Sequence, residues 1–436
     1  MGAQPRIIFI NRFFYPDHSA TSQMLSDLAL ALAKQGWRIC VITSAQRYDE
    51  AHAGLPAREI VHGIDVWRIK TTHFGRDGLL GRAIDYATFY VSSALRLWSL
   101  AGRGDIVVAK TDPPMLSVLV GPIVRLRGAK LVNWLQDLFP EVAESIGLGR
   151  GNLARLGYRM LSNLRNRSLR RASMNVVLGS RMADRLTSLG VPDSRIRIIS
   201  NWADGILIRP LNHCQNTLRQ AWGLENKFVV CYSGNLGRAH EYKTFLDAIE
   251  HTEAAAGLRQ PATPVQKDLP TPRASAHAIR DIVWLFVGGG ALLRGLKAEV
   301  ERRGFRSVEF HEYQPRARLA ESLSVADVHL VSLRPELEGL IVPSKYYGIA
   351  AAGRPAIFIG DPDGEIARII TKDDTGFTIA PGDGAGLAAR IQRLSNDPEG
   401  TRNMGCRARM AFDAHYDLDR AVKAWSALIT EVAGPS

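Results

Sequence analysis

A chain of 436 residues is too long for one ordinary hydrophobic core, so two domains are expected. The composition is that of a globular protein, 46% hydrophobic and 22% charged, with a net charge of +12 and a pI near 9.7. The four cysteines lack CxxC or CxxH spacing, which argues against a disulfide framework and a zinc site. No RNP pattern, zinc finger or helix-turn-helix signature is present, so nucleic acid is not an expected partner.

Hydrophobic runs in the sequence are too short to cross a membrane. The run Ile7–Ile10 has the length of a strand, and no signal-peptide cleavage site follows it. The range Leu79–Leu100 is interrupted by charges and predicts an amphipathic helix, either buried in its domain or lying in a bilayer interface. The range Ser145–Ala183 contains eight arginines and no acid, which indicates either a solvated helix face or a surface for anionic lipid or phosphate. These arginines are Arg150, Arg155, Arg159, Arg165, Arg167, Arg170, Arg171 and Arg181.

Short apolar runs alternate with helical patterns throughout the first half of the chain. Between the first two runs, Thr21–Lys34 carries apolar residues at helical spacing, and Gly36 ends this helix. Runs of this length separated by helices are typical of a parallel sheet buried on both faces. The predicted strands are Arg6–Ile10, Arg38–Thr43, Val66–Ile69, Asp105–Ala109, Lys130–Trp134, Ser173–Leu178 and Arg195–Ile199.

The turn-rich stretch Asn201–Pro210 breaks this alternation, and we place the domain boundary between residues 205 and 206. Residues 251–280 are rich in proline, alanine and threonine, which predicts a flexible surface insertion. The last segment, 416–436, contains an amphipathic helix over Leu418–Val432. The strands predicted for the second half are Phe228–Ser233, Ile282–Val287, Ser307–His311, Asp327–Leu333, Ala356–Ile359 and Gly376–Ala380.

The stretch Leu333–Pro355 combines a predicted anion site with an acceptor for hydroxyl groups, as a nucleotide-sugar diphosphate requires. A helix is predicted to open at Pro343–Ser344, where unpaired N–H groups and the helix dipole favour a phosphate and Lys345 adds a positive charge. Glu338, before Gly339, can accept hydrogen bonds from sugar hydroxyls. An ordinary capped helix beside a glycine-rich turn is the alternative.

Four further loops follow predicted strands, where ligands of α/β sheets bind. In Tyr232–Arg238 two glycines allow backbone amides to approach an anion and Arg238 supplies a cation, although a plain tight turn is the alternative. Asp137 and the adjacent Gln136 follow a strand of the first half, where Asp137 either binds substrate or caps a helix. The small residues of Pro16–Gln23 precede a helix start. The turn Gly288–Gly290 is not GxGxxG, so a nicotinamide cofactor is not expected.

Taken in order, these segments resemble the GT-B nucleotide-sugar glycosyltransferases of the retaining family 4. The similarity is to the branch of colanic-acid and N-acetylfucosaminyl transferases that build bacterial exopolysaccharide, capsule or O-antigen. It implies an α/β fold of two Rossmann-like doubly wound domains facing a central cleft. Residues 1–205 would bind the acceptor, 206–415 the nucleotide sugar, and 416–436 would return to the N-terminal domain. The matching segments are YPDHSATSQ, KTDPPMLSV, NWLQDLFPE, SNWAD, YSGNLGR, FVGGG, FHEYQP, EGLIVPSKYYG and AAGRP.

The resemblance implies roles for single residues. Ala20 and Thr21 lie where the family places small residues against the donor diphosphate, and Glu338 matches the first glutamate of a pair that holds donor-sugar hydroxyls. Ser344 and Lys345 begin the helix that faces the diphosphate. The other residues implied in substrate binding are Asn235, Arg238, Tyr313 near the base, Gly339, and Glu365 near the ribose.

Two positions depart from the family's pattern. The second glutamate of the pair is replaced by Gly348, so Glu365 becomes the candidate for the ribose contact. The family's His-Asp pair reads Gln136–Asp137, which implies changed hydroxyl recognition and suggests a 6-deoxy or acetamido sugar. The usual Arg and Lys of the phosphate loop map ambiguously onto Asn235 and His240.

The implied reaction is retaining transfer without a metal or other cofactor, in which Asp137 and Glu338 position the sugar. The implied acceptor is a polyprenyl-diphosphate-linked saccharide at the inner face of the cytoplasmic membrane. Three alternatives are a metal-dependent GT-A transferase, a non-hydrolysing sugar-nucleotide epimerase, and an inactive nucleotide-sugar-binding partner. The GT-A alternative would use a DxD motif, for which Asp361–Asp363 and Asp417–Asp419 fit the string.

Overall fold

A computed structural model describes residues 5–48, 50, 54–74, 79–147, 151–258 and 281–434. The chain divides into two units. Unit 1 comprises Met1–Ser200, Gly339–Val342 and Leu418–Ser436, and unit 2 comprises Asn201–Glu338 and Pro343–Asp417. The first division, after Ser200, lies five residues before the predicted boundary at 205/206.

Unit 1 is built on an eight-stranded sheet, as far as the described residues show, with the order β3-β4-β2-β1-β5-β6-β7-β8. Its pairings are parallel except for β3 with β4. The central strands are almost wholly apolar because both faces of the sheet are covered. The strands are β1 (Arg6–Ile10), β2 (Arg38–Ser44), β3 (Arg58–Val61), β4 (Ile64–Ile69), β5 (Ile106–Lys110), β6 (Lys130–Trp134), β7 (Met174–Val177) and β8 (Ile196–Ile198).

The hairpin of β3 and β4 was missing from the sequence prediction. β3 is a short edge strand, and His62 and Gly63 between the two strands both have positive φ, at 48° and 86°. Two such residues form the type of tight turn that suits the twist of a hairpin. Alternating residues on both sides of His62–Gly63 are the sequence signal that identifies this strand.

Helices connect the strands of unit 1. The helix predicted over Leu79–Leu100 is present, and Thr21–Lys34 is extended by one residue at its start. The helices are α1 (Ala20–Lys34), α2 (Leu79–Leu100), α3 (Leu116–Leu126), α4 (Glu141–Ser145), α5 (Asn152–Arg171) and α6 (Ser180–Ser188). None of the helices in the described ranges has both the length and the apolar composition needed to cross a membrane.

Unit 2 repeats this architecture with a parallel sheet in the order β11-β10-β9-β12-β13-β14. The strands are β9 (Phe228–Asn235), β10 (Ile282–Gly289), β11 (Val308–His311), β12 (Val328–Ser332), β13 (Ala356–Ile359) and β14 (Gly376–Ile379). The helices are α7 (Thr217–Ala221), α8 (Lys243–Ala255), α9 (Leu293–Arg303), α10 (Leu319–Ser324), α11 (Lys345–Ala351), α12 (Glu365–Asp373), α13 (Gly384–Asn396) and α14 (Pro398–His415).

The predicted insertion began too early in the sequence. Helix α8 continues to Ala255, and Thr252 accepts a hydrogen bond from Trp284 Nε1 at 3.1 Å. Glu253 is 1% exposed and accepts hydrogen bonds from the backbone N–H groups of Arg306 and Ser307 at 2.6 and 2.8 Å. These contacts hold the end of α8 against β10 and the segment before β11 within unit 2. Residues 259–280, which contain the prolines of the predicted insertion, lie outside the described residues.

The last helix, α15 (Leu418–Ala433), belongs to unit 1. Its Trp425 packs on Trp134 of β6 with ring centroids 4.8 Å apart. Lys130 Nζ donates hydrogen bonds to the carbonyl oxygens of Val432 and Ala433 at 2.6 and 2.8 Å, where a cation also complements the helix dipole. The end of the chain therefore completes the unit that its beginning starts.

Candidate active site

In unit 1, the predicted pair Gln136–Asp137 lies at the carboxyl end of β6. Gln136 N donates to Thr111 Oγ1 at 3.2 Å, which ties this loop to the one after β5. Asp137 pairs with Ile341 in an isolated antiparallel bridge, and Leu138 N donates to Leu340 O at 2.9 Å. The segment Gly339–Val342 thus lies beside the Asp137 loop within unit 1.

Asp137 does not cap a helix, which was the alternative to a substrate role. The helix that follows, α4, begins at Glu141 and has Pro140 at its N-cap position. Among the described residues, Asp137 Oδ1 and Gln136 Nε2 are buried without a hydrogen-bond partner. Burial raises the pKa of Asp137 to about 6, against a hydrogen bond from Thr111 that lowers it. An acceptor and a donor in adjacent residues suit a ligand with hydroxyl groups.

The first turn of α1 contains Ala20 and Thr21 and is not capped by a side chain. Ser19, at the N-cap, makes no cap bond, and its N–H and hydroxyl both donate to Asp17 Oδ1 at 2.8 and 2.5 Å. Lys110 Nζ donates to Thr21 O at 2.7 Å. Lys110 opens the quoted segment KTDPPMLSV, but no role was predicted for it, although a charge that closes the apolar run of β5 was a visible signal.

In unit 2, glycines shape the carboxyl ends of β9 and β10. Gly288 pairs with Gly234 and has a φ of +127°, and a Cβ at Gly288 would lie 2.5 Å from the carbonyl oxygen of Gly234. The position therefore requires glycine. The ring of Tyr313, which is 59% exposed, lies against Gly288 and Gly289. An exposed aromatic ring on a flat backbone surface suits a stacked base.

Lys345 provides a cation next to this surface. Its Nζ donates a hydrogen bond to the hydroxyl of Tyr232 and lies 3.7 Å from the centroid of that ring, and the residue is half-buried. Burial lowers the pKa of Lys345 well below its usual value. A Cβ at Gly234 would lie 3.8 Å from Lys345 Cε, so the lysine and the glycines form one continuous surface. An anion bound here would stabilise the charged ammonium.

The other residues predicted for the phosphate loop differ in character. Arg238 and Asn235 are exposed, and the carbonyl oxygen of Asn235 accepts a hydrogen bond from Tyr232 Oη at 3.1 Å. His240 Nδ1 lies 2.6 Å from the carbonyl oxygen of Ser332 and therefore donates its proton to that oxygen. Burial, followed by the charge of Lys345, lowers the pKa of His240 to about 3. His240 is thus neutral and cannot replace a phosphate-binding cation.

Glu338 and Glu365 are brought together in unit 2. Glu338 Oε1 accepts a hydrogen bond from the backbone N–H of Glu365 at 2.9 Å, at the first residue of α12. A Cβ at Gly364 would lie 2.5 Å from Glu338 Oε2, so the carboxylate fits tightly over the start of the helix. Glu338 therefore caps α12 in addition to any contact with a sugar.

The helix predicted to open at Pro343–Ser344 begins at Lys345 and spans seven residues. Ser344 is its exposed N-cap residue, and its side chain makes no cap bond. Gly339 has a φ of +73° and lies in unit 1, where a Cβ would be 3.2 Å from the carbonyl oxygen of Arg181. The stretch Leu333–Pro355, predicted to form one site, thus has residues in both units.

Two family models match the chain and together cover most of it. The model of the glycosyl transferase 4-like domain matches residues 20–202, and that of glycosyl transferases group 1 matches residues 215–410. The chain belongs to glycosyltransferase family 4.

Relatives of this glycosyltransferase agree with that membership. WbjE of Pseudomonas aeruginosa, assigned as a glycosyltransferase, is 27% identical over 335 residues, 76% of each chain. WcaI of Escherichia coli, assigned to colanic acid biosynthesis, is 23% identical over 375 residues, which cover 82% of this chain and 83% of WcaI. The sucrose-phosphate synthase of Thermosynechococcus elongatus superposes with a TM-score of 0.73 at 17% identity, over 99% of this chain and 100% of that one. The predictions of family 4 and of a GT-B fold with two doubly wound α/β domains are confirmed.

The predicted site residues of the glycosyltransferase fall into two groups. Unit 1 holds Gln136, Asp137 and Gly339, together with Ala20 and Thr21 at the start of α1. Unit 2 holds the surface of Tyr313 and Lys345, the Glu338–Glu365 contact, and the exposed Asn235, Arg238 and Ser344. The roles of these residues in substrate binding stay predictions.

Proposed function

We propose that this glycosyltransferase moves a sugar, with retention of anomeric configuration, from a nucleotide-sugar donor to a polyprenyl-diphosphate-linked saccharide in bacterial exopolysaccharide, capsule or O-antigen biosynthesis. The assignment of WcaI to colanic acid biosynthesis supports the choice of pathway. The observation that supports a nucleotide-sugar donor is a continuous surface in unit 2. It offers an aromatic ring for stacking, backbone that a ligand can approach closely, and a cation, and it is formed by Tyr313, Gly288, Gly234 and Lys345.

In this proposal the residues of unit 2 receive the departing nucleoside diphosphate. Lys345, the exposed Arg238 and the N–H groups next to Ser344 stabilise the charge that develops on the leaving phosphate, so a metal is not required. The bond from the anomeric carbon to the phosphate oxygen breaks as the acceptor hydroxyl attacks from the same face. The leaving phosphate takes the hydroxyl proton, and Asp137 and Glu338 position the sugar rather than attack it.

Incubation of the purified protein with bacterial membrane extracts and labelled UDP-, GDP- and dTDP-sugars tests the proposal. We expect one donor to yield a labelled glycolipid, in the presence of EDTA as in its absence, with the anomeric configuration of the donor kept in the product by NMR. Donor epimerisation without acceptor would favour the epimerase, and donor binding without turnover would favour an inactive partner. Loss of transfer in EDTA would contradict the metal-independent mechanism.

We further propose that the enzyme works on the inner face of the cytoplasmic membrane. On α5, Leu156, Met160 and Leu164 recur every fourth residue and are 64%, 61% and 43% exposed. Arg155 and Arg159, one residue before the first two, are also exposed. An apolar stripe beside a basic one suits an anionic bilayer surface. Arg165 does not contribute, because it is 4% exposed and forms a bidentate ion pair with Glu141.

Helix α2 adds a second exposed apolar face, with Leu80, Val91, Leu95 and Trp98 exposed by 76%, 61%, 69% and 49%. Its opposite side is buried through Phe89 and Leu97. One side of the predicted amphipathic helix packs in unit 1, and we propose that its exposed side meets lipid.

The double substitution Leu156→Glu/Met160→Glu is expected to weaken binding to vesicles of phosphatidylglycerol and phosphatidylethanolamine at least tenfold. Withdrawing two apolar side chains from an interface costs on the order of 1.5 kcal/mol or more, and the new charges are repelled by the anionic lipid. Met410→Glu is the matched control, because Met410 is 70% exposed on α14 of unit 2. Equal sedimentation of both variants with vesicles would contradict the proposed surface.

A further inference from the structure

Lys110 is a buried lysine that opens the matching segment KTDPPMLSV but to which the family resemblance gives no role. It ends β5, is 2% exposed, and pairs in register with Trp134 of β6. Its Nζ donates to Thr21 O at 2.7 Å and lies 4.1 Å from the centroid of the Trp134 ring. Within the described ranges Lys110 forms no ion pair with a carboxylate. A buried ammonium without such a pair costs stability.

Lys110 and Asp137 line the same small cavity in unit 1, which has a volume of about 20 Å³. Asn133 also lines it, and both Asn133 Oδ1 and Asp137 Oδ1 are buried acceptors with no partner among the described residues. The cavity has room for roughly one group the size of a water molecule. A hydroxyl fits such a set, since it donates to an oxygen and accepts from an ammonium.

A chain of amides fixes the orientation of Asn133. Asn175 Nδ2 donates to the carbonyl oxygens of Leu169 and Arg195 at 3.0 and 3.1 Å, so Asn175 Oδ1 is the acceptor of the hydrogen bond from Asn133 Nδ2 at 2.7 Å. Asn133 therefore has its Oδ1, and not its amino group, left for another donor. The cavity is thus set up to accept hydrogen bonds at two oxygens.

The two charged groups influence each other. Burial lowers the pKa of Lys110 to about 7, while Asp112 and Asp137 act in the opposite direction. Burial raises the pKa of Asp137 to about 6, a hydrogen bond from Thr111 lowers it, the charge of Asp112 raises it, and the charge of Lys110 makes a smaller contribution that lowers it. The other charged or titratable groups near this pair are Asp112 after β5, Tyr86 on α2, and Arg165 of α5, which lines the cavity and is paired with Glu141 of α4.

We propose that Lys110 is a positioning residue of the transfer reaction, which holds the first turn of α1 and places its positive charge at the cavity that it shares with Asp137, so that one substrate hydroxyl donates its hydrogen bond to the Asp137 carboxylate and Asn133 Oδ1 accepts from a second donor. The inference rests on the proposed function, in which Asp137 contacts a sugar. Lys110 acts through its charge on Asp137 and through its hydrogen bond to Thr21 O, and it takes no part in bond breaking.

The pH profile of kcat/KM separates this role from a purely structural one. We expect the wild-type enzyme to lose activity below about pH 6, as Asp137 takes up a proton. In Lys110→Gln the amide can still donate to Thr21 O, but the charge is gone, so the pKa of Asp137 rises. Its acid limb should move to higher pH, because the loss of a nearby positive charge favours the protonated carboxyl. Lys110→Arg keeps the charge and should keep the limb near that of the wild type.

Several outcomes overturn the inference. A loss in Lys110→Gln by the same factor at every pH would make the lysine structural only, and an equal shift in Lys110→Arg would rule out charge as the cause. Lys110→Met provides a second neutral side chain if the glutamine variant melts below the assay temperature. Absence of transfer by the wild-type enzyme with every donor would overturn the proposed function itself, whereas normal transfer with an unshifted limb overturns only the role of Lys110.

Discussion

Replacing Glu338 with glutamine is expected to lower kcat/KM for transfer roughly 10- to 100-fold with little change in thermal stability. The amide oxygen of glutamine can still accept the N–H of Glu365, a hydrogen bond of 2.9 Å in the native protein, so the start of α12 stays capped. The negative charge is lost, and hydrogen bonds from sugar hydroxyls to a carboxylate contribute about 1.5–3 kcal/mol. Initial rates with labelled donor and a thermal melt measure the two effects separately.

Asp397→Ala serves as the control for the capping role of Glu338. Asp397 Oδ1 accepts the N–H of Gly400 at 2.8 Å at the start of α14, so the substitution removes a helix cap elsewhere in unit 2. We expect a loss of about 1 kcal/mol in the free energy of unfolding and unchanged transfer. Wild-type rates in Glu338→Gln would show that Glu338 is a helix cap only, and that the donor sugar is held elsewhere.

Lys345→Met is expected to lower kcat/KM roughly 100- to 1000-fold, the range found when one preorganised group that stabilises transition-state charge is removed. Folding should be unaffected or slightly favoured. The lysine is half-buried against the ring of Tyr232 and burial depresses its pKa, so a methionine of similar length keeps the packing and avoids the cost of the charge. Steady-state kinetics combined with chemical denaturation would reveal these opposite effects.

The same substitution at Lys227 is the matched control for Lys345→Met. Lys227 Nζ pairs with Asp281 at 2.5 Å, immediately before β9 and β10 and hence at the opposite edge of the unit 2 sheet. Removing an exposed pair of this kind changes stability by about 1 kcal/mol or less and should leave transfer intact. Equal losses in the two variants would mean that general charge, and not the position of Lys345, determines the rate.

Most of the fold could be predicted because the strands are apolar runs of the right length between helical patterns. The misses have local causes. β3 is short, half-exposed and mixed in composition, so its pattern is weak and only the His62–Gly63 turn marks it. The early start of the predicted insertion arose because Thr252 and Glu253 resemble the polar residues that follow them, whereas their partners Trp284, Arg306 and Ser307 are distant in sequence.

The candidate site was only partly accessible from sequence. The motifs located Asp137, Glu338 and Lys345, because residues after strands of a parallel sheet lie at its carboxyl edge. The motifs could not show that Glu338 caps α12, since this depends on the approach of Gly364 in space. The role of Lys110 was missed for a related reason, because its burial and its contact with Thr21 arise from the packing of α1 on the sheet.

The membership of α15 in unit 1 has a consequence for biosynthesis of the chain. Trp134 is fully buried with Trp425 packed on its ring, and Lys130 donates to the carbonyl oxygens of Val432 and Ala433. Residues of β6 are therefore synthesised long before their contact partners, which lie about 300 positions later in the chain. During translation, unit 1 can form all of its native contacts only after unit 2 has been synthesised. A nascent chain truncated after Ser200 therefore exposes the apolar surface of β6 that α15 covers in the full chain.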